Sequence, residues 1–562
     1  MRVTKHFVTV GSRRVHYLRA GQGPALAMLH ASPCSSKVMR PLMALFGQRF
    51  TCLAFDTPGF GLSDPLPQAS PSVEDFADAL ADTLAALGIA QAASYGRHTG
   101  ASIAVEFAAR HPDRCAMALA DGFAVFPAAY TDAQLEAYLE PIVPQWDGAH
   151  LLRLWFRYRD QHVFWPWNKH QDANRSDTDV PELDFLHRGV VEMLQAGDGY
   201  RVGYAAPFRH RALGVVGDLK VPVCFGNRPG DSMYLTRHLY PEGVWMAEVP
   251  REFEPASAYE LSLLERHPAS ATVPEPVPCQ PLPGRLTESY VDLDGAQLAV
   301  RRSGEDLPGT PVLVLHHAPG SSRLYEQAML AMGQERPVLA LDLPGHGESD
   351  PLPGNPQDQA SWLRAVCHVL DQLGIAQVHV WGHQGGAALA CALAVQEPKR
   401  VRSVVLDAPL WVEDALRDQL LSQGIPDVLP SAEGAHWLRA WHHLRDAELW
   451  WPWFERRHAH KKPQPSHIEP ERLNARVLEA MKQPESYAGA WRTNWTCDWA
   501  GQLARVQAPW LCLSSERDTY AHLSLDPPVG LRPAQACPPE QHTERLCQWW
   551  RSQSVSMSDL QP

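Results

Sequence analysis

The chain has 562 residues, 45% of them apolar and 20% charged, with a formal net charge of −13. That is more chain than one hydrophobic core serves, since domains hold roughly 50–250 residues, and the acidic balance argues against nucleic acid or an anionic membrane as partner. No stretch approaches the roughly 18 uncharged apolar residues of a membrane span, no apolar run follows Met1 to His6, and the 11 cysteines include no Cys-x-x-Cys pair, so a cytoplasmic protein with reduced thiols is expected, with no metal and no cofactor.

Alternating apolar residues at Phe7, Val8, Val10 and then Val15, Tyr17 predict an antiparallel hairpin. Two short apolar runs follow, Ala25 to Leu29 and Cys52 to Phe55, as in strands buried on both faces of a parallel sheet. Val73 to Leu87 has helical spacing and an acidic start, which suits a helix N-terminus. A strand over Ala92 to Tyr95, a tight turn Gly96-Arg97-His98-Thr99-Gly100 and a helix over Ala101 to Arg110 come next. Strands alternating with helices predict a doubly wound, mostly parallel α/β domain. From about 133 to 203 the pattern turns helical and aromatic, with Trp155, Trp165 and Trp167.

The same order then recurs. Adding 286 carries His30 to His316, Asp56 to Asp342, Gly96 to Gly382, Asp121 to Asp407, and Trp165-Pro166-Trp167 to Trp451-Pro452-Trp453. A period of this length is a domain, because solenoid repeats run roughly 20–50 residues. The expected organisation is a domain over 1–267, a Pro-rich spacer over 268–285 that can continue neither helix nor central strand, and a second domain over 286–562 whose helical segment spans about 419–489 and carries Trp441, Trp451 and Trp453. The two domains are expected to pair within the chain.

Each half resembles the α/β-hydrolase fold superfamily. The resemblance rests on the His30 and His316 loops, on Asp-x-Pro-Gly-x-Gly-x-Ser-Asp at 56–64 and 342–350, and on the Gly-x-x-x-Gly elbows, all in the same order in both copies. It implies two α/β-hydrolase domains, each with a helical lid. The elbow glycines are not Gly-x-Gly-x-x-Gly, so a dinucleotide site is unsupported. The resemblance also implies a nucleophilic serine at the centre of each elbow. His98 stands there in the first half and Gln384 in the second.

His98 has the chemistry of a general base or, less commonly, of an acyl-accepting nucleophile, and its place at a helix N-terminus is expected to favour the neutral imidazole. Gln384 can be neither. By resemblance the triad acid follows the sixth or seventh strand: Asp121 or Asp231 in the first half, Asp407 or Asp518 in the second. The triad histidine belongs after the last strand, where Val244 to Tyr259 holds no histidine at all and the second half offers His542. With Gly96, Thr99 and Gly100, the loop residues His30 and Ala31 form the elbow and oxyanion region; their counterparts are His316 and His317. Ala31 and His317 depart from the His-Gly of the pattern, and a structural role for both loop histidines is the expected one. The tryptophans are expected to serve as core and, in part, as the apolar wall of a ligand pocket.

Two readings stay open on the sequence. In one, the first domain is a non-serine enzyme centred on His98, acting on a small, fairly apolar ester, lactone or carbonyl compound by hydrolysis, or by lyase or oxygenase chemistry that needs only a base, and the second domain is degenerate. In the other, the pair is a non-catalytic pseudo-hydrolase that binds a small molecule or a protein.

Overall fold

The computed structural model describes residues 1–555 other than 127, 129, 271, 464–466, 517, 526 and 528–530. The chain divides into two compact units, residues 1–143 with 153–280 and residues 144–152 with 281–562.

In the first unit eight strands form one sheet: β1 (Thr4–Val10), β2 (Arg13–Ala20), β3 (Ala25–Leu29), β4 (Thr51–Phe55), β5 (Ala92–Arg97), β6 (Cys115–Asp121), β7 (Val223–Asn227) and β8 (Met246–Glu248), in spatial order β1-β2-β4-β3-β5-β6-β7-β8. The β1–β2 hairpin pairs antiparallel, β2 pairs antiparallel with β4, and from β4 to β8 every pairing is parallel. The apolar runs of the sequence are explained by this burial. Ala25, Ala27 and Leu29 of β3 pack with Phe55, Leu80 and Phe107 on one face, while Leu26 and Met28 pack with Phe46, Tyr95 and Leu263 on the other. Helices therefore cover both faces, as parallel strands require. The helix Val73–Ala86 starts at a capping box in which Ser72 and Asp75 satisfy each other's backbone N–H groups.

The second unit repeats the order with β9 (Thr287–Leu293), β10 (Ala296–Ser303), β11 (Val312–Leu315), β12 (Val338–Leu341), β13 (Val378–His383), β14 (Val401–Asp407), β15 (Trp510–Ser515) and β16 (Gln535–Cys537), arranged β9-β10-β12-β11-β13-β14-β15-β16. Both halves are thus doubly wound, mostly parallel sheets, as the sequence predicts.

The helical insertions lie between β6 and β7 and between β14 and β15, and are longer than the aromatic patterns that mark them. Their helices run from Asp132 to Val216 and from Asp414 to Leu503. The Pro-rich stretch is hydrogen-bonded to the first unit, with Thr9 Oγ1 donating to the Gln280 carbonyl at 2.7 Å. The 11 cysteines are free thiols. Among the described residues no helix is long and apolar enough to cross a membrane.

Candidate active site

Parallel strands end in register on one side of the sheet, where Leu29 pairs with Gly96, Arg97 with Asp121, and Asp121 with Gly226. The crevice beyond these carboxyl ends is where such sheets bind ligands. Between the end of β5 and the helix Thr99–Arg110 stands His98, at φ 49° and ψ −108°, a region that non-glycine residues occupy only when the surroundings impose it. Here the surroundings are two close approaches. A Cβ on Gly96 would sit 2.1 Å from the Gly100 carbonyl oxygen, and one on Gly100 would sit 2.2 Å from that of Leu29. The His98 N–H donates to the Asp121 carbonyl at 3.0 Å.

Of the two acids the sequence offers His98, Asp231 reaches it. It follows β7, and its Oδ2 lies 2.9 Å from His98 Nε2, while its Oδ1 accepts from the Met233 N–H at 2.8 Å. Asp121 is turned to cations: its Oδ2 lies 3.1 Å from both Arg97 Nε and Arg228 Nη2. Burial acts to lower the His98 pKa, but the charge and contact of Asp231 outweigh it and the net shift is upward. The expectation of a neutral imidazole, argued from the helix N-terminus, is therefore corrected: a full carboxylate charge in contact exceeds a partial helix-end charge. Burial likewise disfavours the Asp231 carboxylate, yet His98 and the Met233 amide hold its pKa well below the usual carboxylate range.

His98, Thr99 and Asp231 open onto a cavity of about 340 Å³ under the helical insertion. Its wall is mainly apolar and aromatic, including Phe126, Tyr138, Trp165 and Phe208. Of the three tryptophans expected as core and in part as its wall, Trp165 lines it. Trp155 and Trp167 are fully buried in the insertion instead, with Trp167 Nε1 donating to the Tyr138 carbonyl at 2.9 Å; a tryptophan at helical spacing faces whichever side the helix packs on. Two cavity residues escaped the sequence reading. Arg97 is the elbow residue just before His98 and is 38% exposed. His162 comes from the insertion, and its Nε2 is buried without a hydrogen-bond partner. Burial, and then the charges of His98, Arg97 and Arg157, push the His162 pKa down to about 4. The cavity thus holds two imidazoles whose environments drive them apart, an arrangement that distinguishes acids from bases in enzyme sites. The signal for Arg97 was adjacency to His98; His162 lay unmarked in an aromatic stretch.

His30 is spent on structure. Its Nδ1 donates to the Ala31 carbonyl at 2.9 Å, and its Nε2 accepts from the Thr57 N–H at 3.0 Å, which ties the loop after β3 to the loop after β4. Burial lowers its pKa. His316 repeats this, with Nδ1 2.8 Å from the His317 carbonyl and Nε2 accepting from the Leu343 N–H at 2.9 Å.

In the second half Gln384 holds the elbow at φ 51° and ψ −116°, and Asp518 accepts from its side-chain amide at 3.0 Å. Asp518 also takes Nε2 of His383, a residue the sequence reading passed over. His542 is the first residue of the final helix and its Nε2 lies 3.0 Å from Asp407 Oδ2. It pairs with the acid after β14, as a triad histidine would not if Asp518 were the working acid. The space over this elbow is taken by the chain itself. The Gly385 N–H donates to His317 Nδ1 at 3.3 Å, the His317 ring packs 4.9 Å from Trp491, and a Cβ on Gly385 would sit 2.3 Å from Asn494 Oδ1. Trp441 is fully buried, Trp451 packs 5.4 Å from Tyr520, and Trp453 Nε1 donates to the Gly424 carbonyl.

Among the described residues, Glu74, Glu106 and His210 bring metal-type donor atoms within 4.8 Å of one another, with His210 Nε2 on Glu106 Oε1 at 2.7 Å. None of them lines the His98 cavity.

A family model described as alpha/beta hydrolase fold matches residues 24–164 and 310–525. Proline iminopeptidase of Heyndrickxia coagulans is 34% identical over 142 residues, 24% of this chain and 48% of that protein. The 2-(acetamidomethylene)succinate hydrolase of Mesorhizobium japonicum is 33% identical over 112 residues, 19% of this chain and 40% of that protein. The chain spans about half the length of the curated relatives it matches, or less. Among solved structures, a hydrolase from Pseudomonas aeruginosa PA01 overlaps 48% of this chain and 97% of its own, with 21% identity and a TM-score of 0.35.

Proposed function

The chain belongs to the alpha/beta hydrolase fold family, and on that premise we propose that its first half is an enzyme that attacks a small, fairly apolar ester, lactone or carbonyl compound without a serine. The observation that carries this reading is the His98–Asp231 contact at the mouth of the elbow helix, inside an apolar cavity. In the proposed reaction the neutral form of His98 takes a proton from a water, and the resulting hydroxide adds to the substrate carbonyl. Asp231 stabilises the imidazolium that forms, as a triad acid does. The Thr99 N–H, which as the first helical residue has no intrahelical acceptor, is a donor for the developing oxyanion. His98 then returns the proton to the leaving oxygen. The water oxygen ends in the product acid, and the alcohol leaves with the proton.

A second reading has its own support. The centre of the elbow holds His98 rather than a hydroxyl that could accept an acyl group, and an aspartate-backed imidazole is equally suited to removing a proton from the substrate, as a cofactor-free lyase or oxygenase requires. The second half is assigned no chemistry. Gln384 neither accepts a proton nor attacks a carbonyl, and the amide that would hold an oxyanion is bonded to His317.

The test is turnover of a panel of chromogenic short-chain esters and lactones by wild type, His98→Ala and Gln384→Ala. His98→Ala is expected to lose about 100-fold or more in rate, the usual share of a general base, and Gln384→Ala to match wild type. Unchanged turnover in His98→Ala overturns the role of His98.

A further inference from the structure

Two arginines at this cavity have guanidinium nitrogens that no carboxylate contacts among the described residues. Arg97 lines its floor beside His98, and only its Nε faces a carboxylate, that of Asp121. Among the described residues no acceptor meets its terminal nitrogens, and the side chain is 38% exposed. Asp121 is itself shared with Arg228. Asp231, the one carboxylate on the cavity wall among the described residues, is engaged by His98.

A second cation stands in the insertion. Arg157 is 2% exposed, and no carboxylate pairs with it. Its Nη1 donates to Gln161 Oε1 at 2.7 Å, and Gln161, Tyr158 and Tyr204 beside it line the cavity. Its Nε and Nη2 are buried with no acceptor, while its guanidinium lies 5.1 Å from the Trp167 ring centre and 5.9 Å from that of Tyr204. A buried guanidinium without a counter-charge is costly unless something supplies one. Burial first, and then the charges of His98, Arg97 and Arg157, lower the His162 pKa.

We propose that the molecule taken by this cavity is a carboxylate with an apolar or aromatic body, its carboxylate gripped by the open face of Arg97 and held in the field of Arg157. A guanidinium offers paired parallel N–H donors that match a carboxylate in shape, and one open cation in a mainly aromatic cavity of about 340 Å³ fits one negative charge on a small body. This deepens the proposed function and rests on it for the reaction, though not for the binding. A substrate held this way would be an ester, lactone or ketone that also bears a free acid. It would come from a reaction that leaves one carboxyl group unmodified.

The probes are phenylacetate and its neutral match phenylacetamide, titrated calorimetrically into the full chain near neutral pH. Wild type is expected to bind phenylacetate roughly tenfold tighter or more, the scale of a hydrogen-bonded charge in a shielded site. Arg97→Gln is expected to abolish the preference, and Arg97→Lys, which keeps the charge, to retain most of it. Equal affinity for the two probes in wild type, binding of neither, or a preference that survives Arg97→Gln overturns the proposal. Should Arg97→Gln fail to fold, Arg97→Met takes its place: loss of the preference there with wild-type affinity for the amide supports the proposal, and a preference that survives refutes it. His98→Ala separates the two readings. Full turnover there removes the catalytic role of His98, while a retained preference for phenylacetate leaves the carboxylate site standing.

Discussion

Replacing Asp231 with Asn keeps the shape of the acid and an acceptor for the Met233 N–H, and removes the charge 2.9 Å from His98 Nε2. At about 4 Å between charge centres and an effective dielectric of about 20, two opposite unit charges attract by about 4 kcal/mol. His98 is 35% exposed and Asp231 11%, so water screens the pair, and the working figure is nearer the roughly 1 kcal/mol of solvent-reached pairs. Burial, which in the wild type is outweighed, then acts with the Arg97 charge against the smaller pull of Asp121, and the His98 pKa is expected to fall from above the ordinary histidine value to below it. Nuclear magnetic resonance titration of the His98 ring in wild type and Asp231→Asn reads this directly. The stability consequence has a definite sign. With a raised folded pKa, His98 contributes stability that is fully present below its unfolded pKa and is lost as pH rises through the folded one. The urea-unfolding gap between wild type and variant is therefore expected to be largest in mild acid and to shrink in alkali. If His98 in Asp231→Asn still titrates above the ordinary value, the raised pKa has another source and Asp231 is not its partner.

His162 gives the opposite pH dependence. Its pKa, pushed down to about 4 from an unfolded value of about 6.5, makes the folded state bind fewer protons in that window, so stability is lost as pH falls through it; His162→Gln should flatten the wild-type loss, measured by urea midpoints on either side. Gly96→Ala should cost about 3 kcal/mol, because the new Cβ would meet the Gly100 carbonyl oxygen at 2.1 Å; a urea midpoint unchanged from wild type would contradict that close approach.

Much of the fold was legible because its signals are local. Strands buried on both faces must be apolar throughout, so Ala25 to Leu29 and Cys52 to Phe55 announce themselves, and the glycines at 96 and 100 mark backbone contacts that no side chain can share. The duplication was legible as a constant offset, and it placed both elbows. The choice of acid was not legible. Asp121 and Asp231 both follow parallel strands, and only the path of the loop after β7 brings the second to His98. Loop paths depend on packing that no short pattern encodes.

The same limit hid His162 and left open which of the tryptophans faces the cavity. Trp155 lies on the helix Ala149–Asp160, whose spacing tells which residues share a face but not what that face meets, while His162, Trp165 and Trp167 lie in the turns that follow it, which carry no periodicity to read. Residue identities by themselves determined that a histidine stands at one elbow and a glutamine at the other, and hence which half has a group able to move a proton. Tertiary structure alone decided that Asp231 raises the pKa of the histidine, that an open arginine and an unpaired buried one flank its cavity, and that His317 and Asn494 occupy the other elbow. Charge and space at a site are sums over side chains distant in sequence, and only the folded chain brings those side chains within range.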